Sequence, residues 1–209
     1  MKTGFENLDN ITHGLNCGEL TCIAGRPGIG KTTLLIDIVN NVSKQTDDKI
    51  LFVSLESSKE YLEKRIKNGN VELITDKLFI NEIEDACRKL SYKYHYLSLI
   101  VVDYLQLIKP EIRRKDLLRE KIDVIKSLKQ LSIELNVPII ITSQLPRTNE
   151  KPKLEDLNVY GTTYHYSKVL LLYSDDGNLK IDVVKNKGVS HRFVDLVFND
   201  EKLGFEERK

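Results

Sequence analysis

With 209 residues, 41% of them hydrophobic and 30% charged, the chain has the composition of an ordinary globular protein and length enough for one domain, 1–209, with a sizeable core. Thirty-two Lys and Arg against thirty-one Asp and Glu leave a formal charge of +1, so any nucleic-acid partner would have to be held by local patches. No apolar run approaches the roughly eighteen residues a membrane helix needs, MKTGFENLDN lacks the apolar centre of a signal peptide, and Cys17, Cys22 and Cys87 are too scattered for a disulfide framework or a zinc cluster. A cytoplasmic protein with no membrane partner is expected.

The opening TGFENLDNITHGLNCGEL, with glycines at 4, 14 and 18, reads as turns leading to a first strand, ELTCIAG. A helix follows to about Ser43, then a strand in KILFVSLE and a helix in SKEYLEKRIKN. After a less patterned stretch come a helix in INEIEDACRKL, a strand in LSLIVVDY, a long helix within DLLREKIDVIKSLKQLSIEL and a strand in VPIIITSQ. Continuous apolar strands separated by helices predict an α/β fold with a mainly parallel central sheet flanked by helices. Beyond Gln144 a polar, proline-bearing segment precedes three short runs, KVLLLYS, LKIDVVKN and RFVDLVF, expected as antiparallel strands added at the C-terminal edge.

Between the first strand and the first long helix lies GRPGIGKTT, comprising Gly25, Arg26, Pro27, Gly28, Ile29, Gly30, Lys31, Thr32 and Thr33. Gly25, Gly30, Lys31 and Thr32 fit the P-loop spacing, in which a glycine-permitted turn wraps backbone N–H groups around a phosphate chain. The helix that opens there aims its unsatisfied N–H groups at the same phosphates. Lys31 is expected to reach the β and γ phosphates of ATP, and the Thr32 hydroxyl to hold Mg2+.

Ligand chemistry in such a sheet gathers at the carboxyl ends of the strands, and three polar residues are expected there. Glu56 follows KILFVSL, where it could activate a water for attack on the γ-phosphate or serve as an acid at a helix N-terminus. Asp103 ends LIVVD, where a carboxylate completes a magnesium shell. Gln144 ends PIIITSQ, as a γ-phosphate sensor or as an amide satisfying loop backbone. Between Lys109 and Lys121, six basic residues stand against three acidic ones. Arg113, Arg114 and Lys115 precede a helix start at Asp116, where the dipole disfavours positive charge, and with Arg119 they could contact a phosphodiester backbone or line a solvated loop. Lys185 and Lys187, two apart at the end of an extended strand, could reach a phosphate on a neighbouring subunit or be surface charge. The four histidines show no metal-ligand spacing.

Taken together, TGFENLDNITHGL, GELTCIAGRPGIGKTT, FVSLE, IVVDYLQL and REKIDVIKSLKQLSIELNVPIIITSQLPR resemble the carboxyl-terminal ATPase domain of DnaB-type replicative helicases, a RecA-like fold, over nearly the whole chain. DYLQL and SQLPR set the resemblance apart from recombinase-type and clock-type relatives. The resemblance implies ATP and Mg2+ as ligands, single-stranded DNA as partner, and self-association into a ring or filament, hexameric in the family. It assigns Glu56 as catalytic base, Asp103 as magnesium carboxylate and Gln144 as γ-phosphate sensor. Lys185 and Lys187 match a Lys-x-Arg finger that acts in trans, with lysine in place of the arginine and its bidentate fork. Asn158 and Val159 stand where the family carries an Arg-Glu pair, and Tyr164, His165 and Tyr166 replace a polar run. The chain is also short between Glu56 and Asp103, and the family's amino-terminal domain and linker helix are absent from the sequence. These departures leave open a regulatory or helicase-loading partner that binds ATP without unwinding, and a recombinase-type ATPase.

Overall fold

The computed structural model describes residues 1–113, 115–148, 150–157, 162–186 and 191–208. The opening segment, expected as turns, contains a short helix, α1 (Glu6–Thr12). Its exposed N–H groups are satisfied from far away: the Glu207 carboxylate accepts from Asn7 N at 2.9 Å and Leu8 N at 3.0 Å. Asp9 turns back to accept from the N–H groups of Thr3 and Gly4. Capping of this kind supplies the partners a helix start lacks, and a cap some 200 residues distant leaves no local pattern to read.

The central elements fall where periodicity predicts them. β1 (Leu20–Gly25) leads into α2 (Lys31–Val42), then β2 (Lys49–Ser54) and α3 (Lys59–Arg65), whose first turn is capped by the Ser58 hydroxyl. The less patterned stretch that follows holds a strand, β3 (Val71–Ile74), before α4 (Ile80–Tyr94) and β4 (Leu97–Asp103). α5 (Leu117–Glu134) begins at the expected cap, where Asp116 accepts from Leu118 N and Arg119 N, and it is followed by β5 (Ile139–Gln144). The polar connection carries a one-turn helix, α6 (Leu154–Leu157), and leads to β6 (Lys168–Asp175), β7 (Asn178–Lys185), β8 (Arg192–Asn199) and a further strand, β9 (Gly204–Glu207).

These strands share one sheet in the order β3-β2-β4-β5-β1-β6-β7-β8-β9. β6 corrects the expectation of an antiparallel addition: it pairs parallel with β1 on one side and antiparallel with β7 on the other. The long connection from β5 gives the chain room to cross back and enter the sheet in the parallel sense. β6 is therefore interior, and its first six residues are buried. β8, by contrast, shows the alternation of a half-exposed strand.

Successive residues of the parallel strands feed two separate cores, as the period of two requires. Cys22, Leu51, Val53, Ile100, Val102 and Ile141 pack with Ile83 of α4 and Val124 and Leu128 of α5. Ile23, Ile50, Phe52, Val101 and Ile140 pack with Leu34, Leu35 and Ile38 of α2, Leu8 of α1 and Leu62 of α3. Cys87 sits within the first core, where burial pushes its thiol up to about 12. With both faces covered, the polar residues of β1, β4 and β5 gather at the strand ends.

Candidate nucleotide-binding site

Parallel register brings the predicted residues to one edge. Gly25 of β1 lies beside Gln144 of β5, and Ser54 of β2 lies beside Asp103 of β4. The turn between β1 and α2 requires glycine at its two ends for different reasons. A Cβ on Gly25 would lie 2.6 Å from the Leu172 carbonyl oxygen of β6, so the limit there is space. Gly30 sits at φ 101°, and a Cβ there would also meet the Phe205 ring at 2.6 Å. Gly30 is the N-cap of α2 and no side chain caps the helix, so its first N–H groups face the turn without a competing acceptor.

Lys31 is buried and folds back over this turn, its ammonium donating to Gly25 O at 3.0 Å and Arg26 O at 2.9 Å. Burial pulls its pKa below the ordinary lysine range, opposed by the nearby charges of Asp103 and Glu56. A cation held by neutral carbonyls and facing two carboxylates is poised for a stronger anionic acceptor. Thr32 Oγ1 donates to Asp103 Oδ2 at 2.6 Å, and Thr142 Oγ1 donates to Asp103 Oδ1. Asp103, 1% exposed, is thus held at both oxygens by hydroxyls. One hydroxyl and one carboxylate are hard oxygen donors of the kind Mg2+ takes when substrate phosphates and water complete its shell. Among the described residues no cluster of three or more His, Cys, Asp or Glu could hold a metal by protein ligands alone.

Glu56 lies exposed in the connection from β2 to α3. Ser58 takes the capping position and Glu60 the first turn of α3, so the helix-acid role is filled by others. The charge of Glu56 still reaches the site, since it acts on both Lys31 and Tyr104. Gln144 is half-buried, and its main chain is pinned by Gln106, whose amide accepts from Gln144 N at 3.2 Å and donates to Gln144 O at 3.0 Å. A further bond from Gln106 to Ser143 Oγ at 3.0 Å joins DYLQL directly to SQLPR. Thr142 and Gln106 were not singled out from sequence. The available signal was a polar residue inside an apolar strand for the first, and none beyond membership of DYLQL for the second.

The remaining predicted residues lie elsewhere. Lys185, at the end of β7, donates to Thr163 O and Tyr166 O of its own chain, both at 2.6 Å, and burial lowers its pKa. Lys187, Arg114, Asn158 and Val159 lie outside the described residues. Arg113 and Lys115 are exposed before α5, while Arg119, 73% exposed, lies 3.5 Å from Asp116. Arg113 borders a groove of about 840 Å³ whose walls include Leu105, Leu117, Gln144, Leu145 and Pro146. No described helix is long and apolar enough to cross a membrane.

A family model, the DnaB-like helicase C terminal domain, matches residues 1–78 and 70–207. The chain is 32% identical over 215 residues to a probable replicative DNA helicase of Trieres chinensis and 31% identical over 216 residues to the replicative DNA helicase DnaB of Geobacillus stearothermophilus. Each alignment takes in 84% of this chain and 47% of the relative, so the chain spans about half the length of these proteins. Among solved structures, one of an isolated ATPase domain superposes with a TM-score of 0.90 at 23% identity, over 100% of this chain and 91% of that one. A DnaB-like replicative helicase, described with its interactions with primase, superposes with a TM-score of 0.88 at 23% identity, over 100% and 62%. These likenesses carry the RecA-like fold, and the family match extends almost from end to end. The chain belongs to the DnaB-like helicase C-terminal domain family.

Proposed function

We propose that the chain is a single motor domain, 1–209, that hydrolyses ATP with Mg2+ and couples hydrolysis to movement on single-stranded DNA, working in the cytoplasm as part of a ring or filament. The observation that carries this reading is the convergence of Lys31, the Thr32–Asp103–Thr142 hydroxyl and carboxylate chain, and Gln144 at one edge of the sheet. ATP lies along residues 25–33, with its β and γ phosphates at the α2 N-terminus. Lys31 exchanges its two carbonyl partners for phosphate oxygens, which reward its charge more strongly. Thr32 and Asp103 hold Mg2+, which supplies charge neutralisation along the phosphates. Glu56, exposed beside the site, orients a water and takes its proton. Gln144 reads the γ-phosphate with its side-chain amide while Gln106 holds its main chain. The same Gln106 belongs to the 104–108 segment that begins the groove bordered by Arg113. DNA runs along that groove and past Pro146, its phosphates held by Arg113, Arg114, Lys115 and Arg119. Lys185 and Lys187 serve the site of a neighbouring subunit. A regulatory or recombinase role is disfavoured by the helicase family match.

Phosphate release is measured with and without single-stranded DNA in the wild type and Lys31→Ala. The substitution is expected to lower release by at least about a hundredfold, the scale seen when a charge-stabilising donor is removed from an active site. Release unchanged by Lys31→Ala would sink the assignment.

A further inference from the structure

Arg26 lies inside the phosphate-binding turn, yet its side chain points away from it. The guanidinium Nη2 donates to Thr148 Oγ1 at 2.7 Å and also to Glu150 O, both in the connection between β5 and β6. The next residue, Lys151, is anchored in the other direction. Its ammonium lies 4.3 Å from the centroid of the Phe193 ring and 5.0 Å from that of Tyr173. Its charge also acts on Asp182, a carboxylate 4% exposed whose Oδ1 has no hydrogen-bond partner among the described residues. Two aromatic faces and a buried acid form a box that holds an ammonium group. Pro152, buried, follows at once. Thr148, Glu150 and Lys151 therefore form a strap with one end on the turn at Arg26 and the other on β6, β7 and β8.

We propose that Arg26 is a positioning residue that ties the shape of the phosphate-binding turn to that of the β5–β6 connection. The link is covalent at one end: the Arg26 carbonyl oxygen accepts from the Lys31 ammonium at 2.9 Å, while its guanidinium grips the strap. An acceptor that draws Lys31 away releases the Arg26 carbonyl, and the peptide it belongs to can turn. That motion reaches Thr148 and Glu150 through a planar, two-pronged donor, which passes on orientation where a lysine would act as a point charge. The connection also begins at Gln144 and passes Arg147, so the strap sets the slack of the chain segment that leaves the sensor position. Lys151 makes the opposite end firm, on strands β6, β7 and β8. This coupling rests on the nucleotide-binding reading above, but the grip itself does not.

Amide hydrogen exchange on the full chain separates the two. Without nucleotide, Arg26→Ala is expected to raise exchange across 145–157 by about tenfold, and Arg26→Lys to recover part of the protection. Exchange within about twofold of wild type in Arg26→Ala would overturn the grip. With ATPγS and magnesium, wild type is expected to change exchange in both 25–34 and 145–157. Thr148→Val and Lys151→Gln, both at exposed positions, are expected to keep the change at 25–34 and lose most of it at 145–157. A full response at 145–157 in Thr148→Val would overturn the coupling. A wild type that shows no response at 25–34 would instead count against nucleotide binding, and the nucleotide-free comparison would still decide the grip.

Discussion

The two halves of the sheet handle charge differently. At the ends of β1, β4 and β5, polar groups are buried by strands covered on both faces, and each is held by a partner from another element: Asp103 by Thr32 and Thr142, Lys31 by the turn it serves. On the β6–β9 side, charged groups sit at partly open positions and pair locally, Lys180 with Asp175 and Lys202 with Glu206. Burial makes an unpaired polar group costly, so the covered half can hold only an arrangement that is mutually satisfied. The open half carries no such constraint, because water can serve any charge there. A residue meant for a neighbouring subunit then looks the same as ordinary surface charge.

The sharpest break between the halves is expected from Asp103→Asn, which keeps shape but removes the charge that holds Mg2+. ATP hydrolysis is expected to fall by about a hundredfold to a thousandfold, with the remaining activity shifted to higher magnesium concentrations in a titration. Glu56→Gln is expected to cost about a hundredfold or more in kcat while nucleotide binding, followed with a fluorescent ATP analogue, stays near wild type. A drop in binding of the same size would instead return Glu56 to a structural role. On the other side, Lys185→Met would leave Thr163 O and Tyr166 O without their donor and is expected to cost about 1 to 3 kcal/mol in urea unfolding of the isolated chain. Unchanged stability together with lost DNA-stimulated turnover in oligomers would move Lys185 into the trans site.

The smallest effect is expected from Asp182→Asn. Burial raises the pKa of Asp182, with His191 and Lys151 opposing, so the folded chain keeps this proton to a higher pH than the unfolded chain does. The stability the carboxyl contributes is therefore full below the usual aspartate value and is lost as pH rises through the folded value. Thermal melts should show Asp182→Asn slightly more stable than wild type near pH 7, and the difference should vanish below about pH 4. A gain that grows on acidification would reverse the sign and refute the burial argument.

Most of the phosphate-binding half was legible before folding, because its chemistry is written in consecutive residues and in strands that end on a polar side chain. Gly25 to Thr33, Glu56, Asp103 and Gln144 could all be placed at strand or turn positions from periodicity alone. Thr142 escaped because one hydroxyl inside an apolar strand has many possible partners, and only the parallel register brings it to Asp103. Gln106 escaped because its partner is a main chain reached through tertiary contact. The direction of β6 was misread since apolar content marks a strand but not its sense, which depends on how far the preceding connection can travel.

By itself, the sequence determined the α/β pattern, the phosphate cradle and the family, since these depend on local spacing, on glycine's steric freedom and on the period of buried strands. Tertiary structure alone decided that α1 is capped by Glu207, that β6 enters the sheet parallel to β1, that Lys185 turns onto its own chain, and that Arg26 reaches Thr148 and Glu150. Each of these joins residues remote in sequence, where the partner is chosen by which surfaces the packed sheet brings together, and no local pattern carries that information.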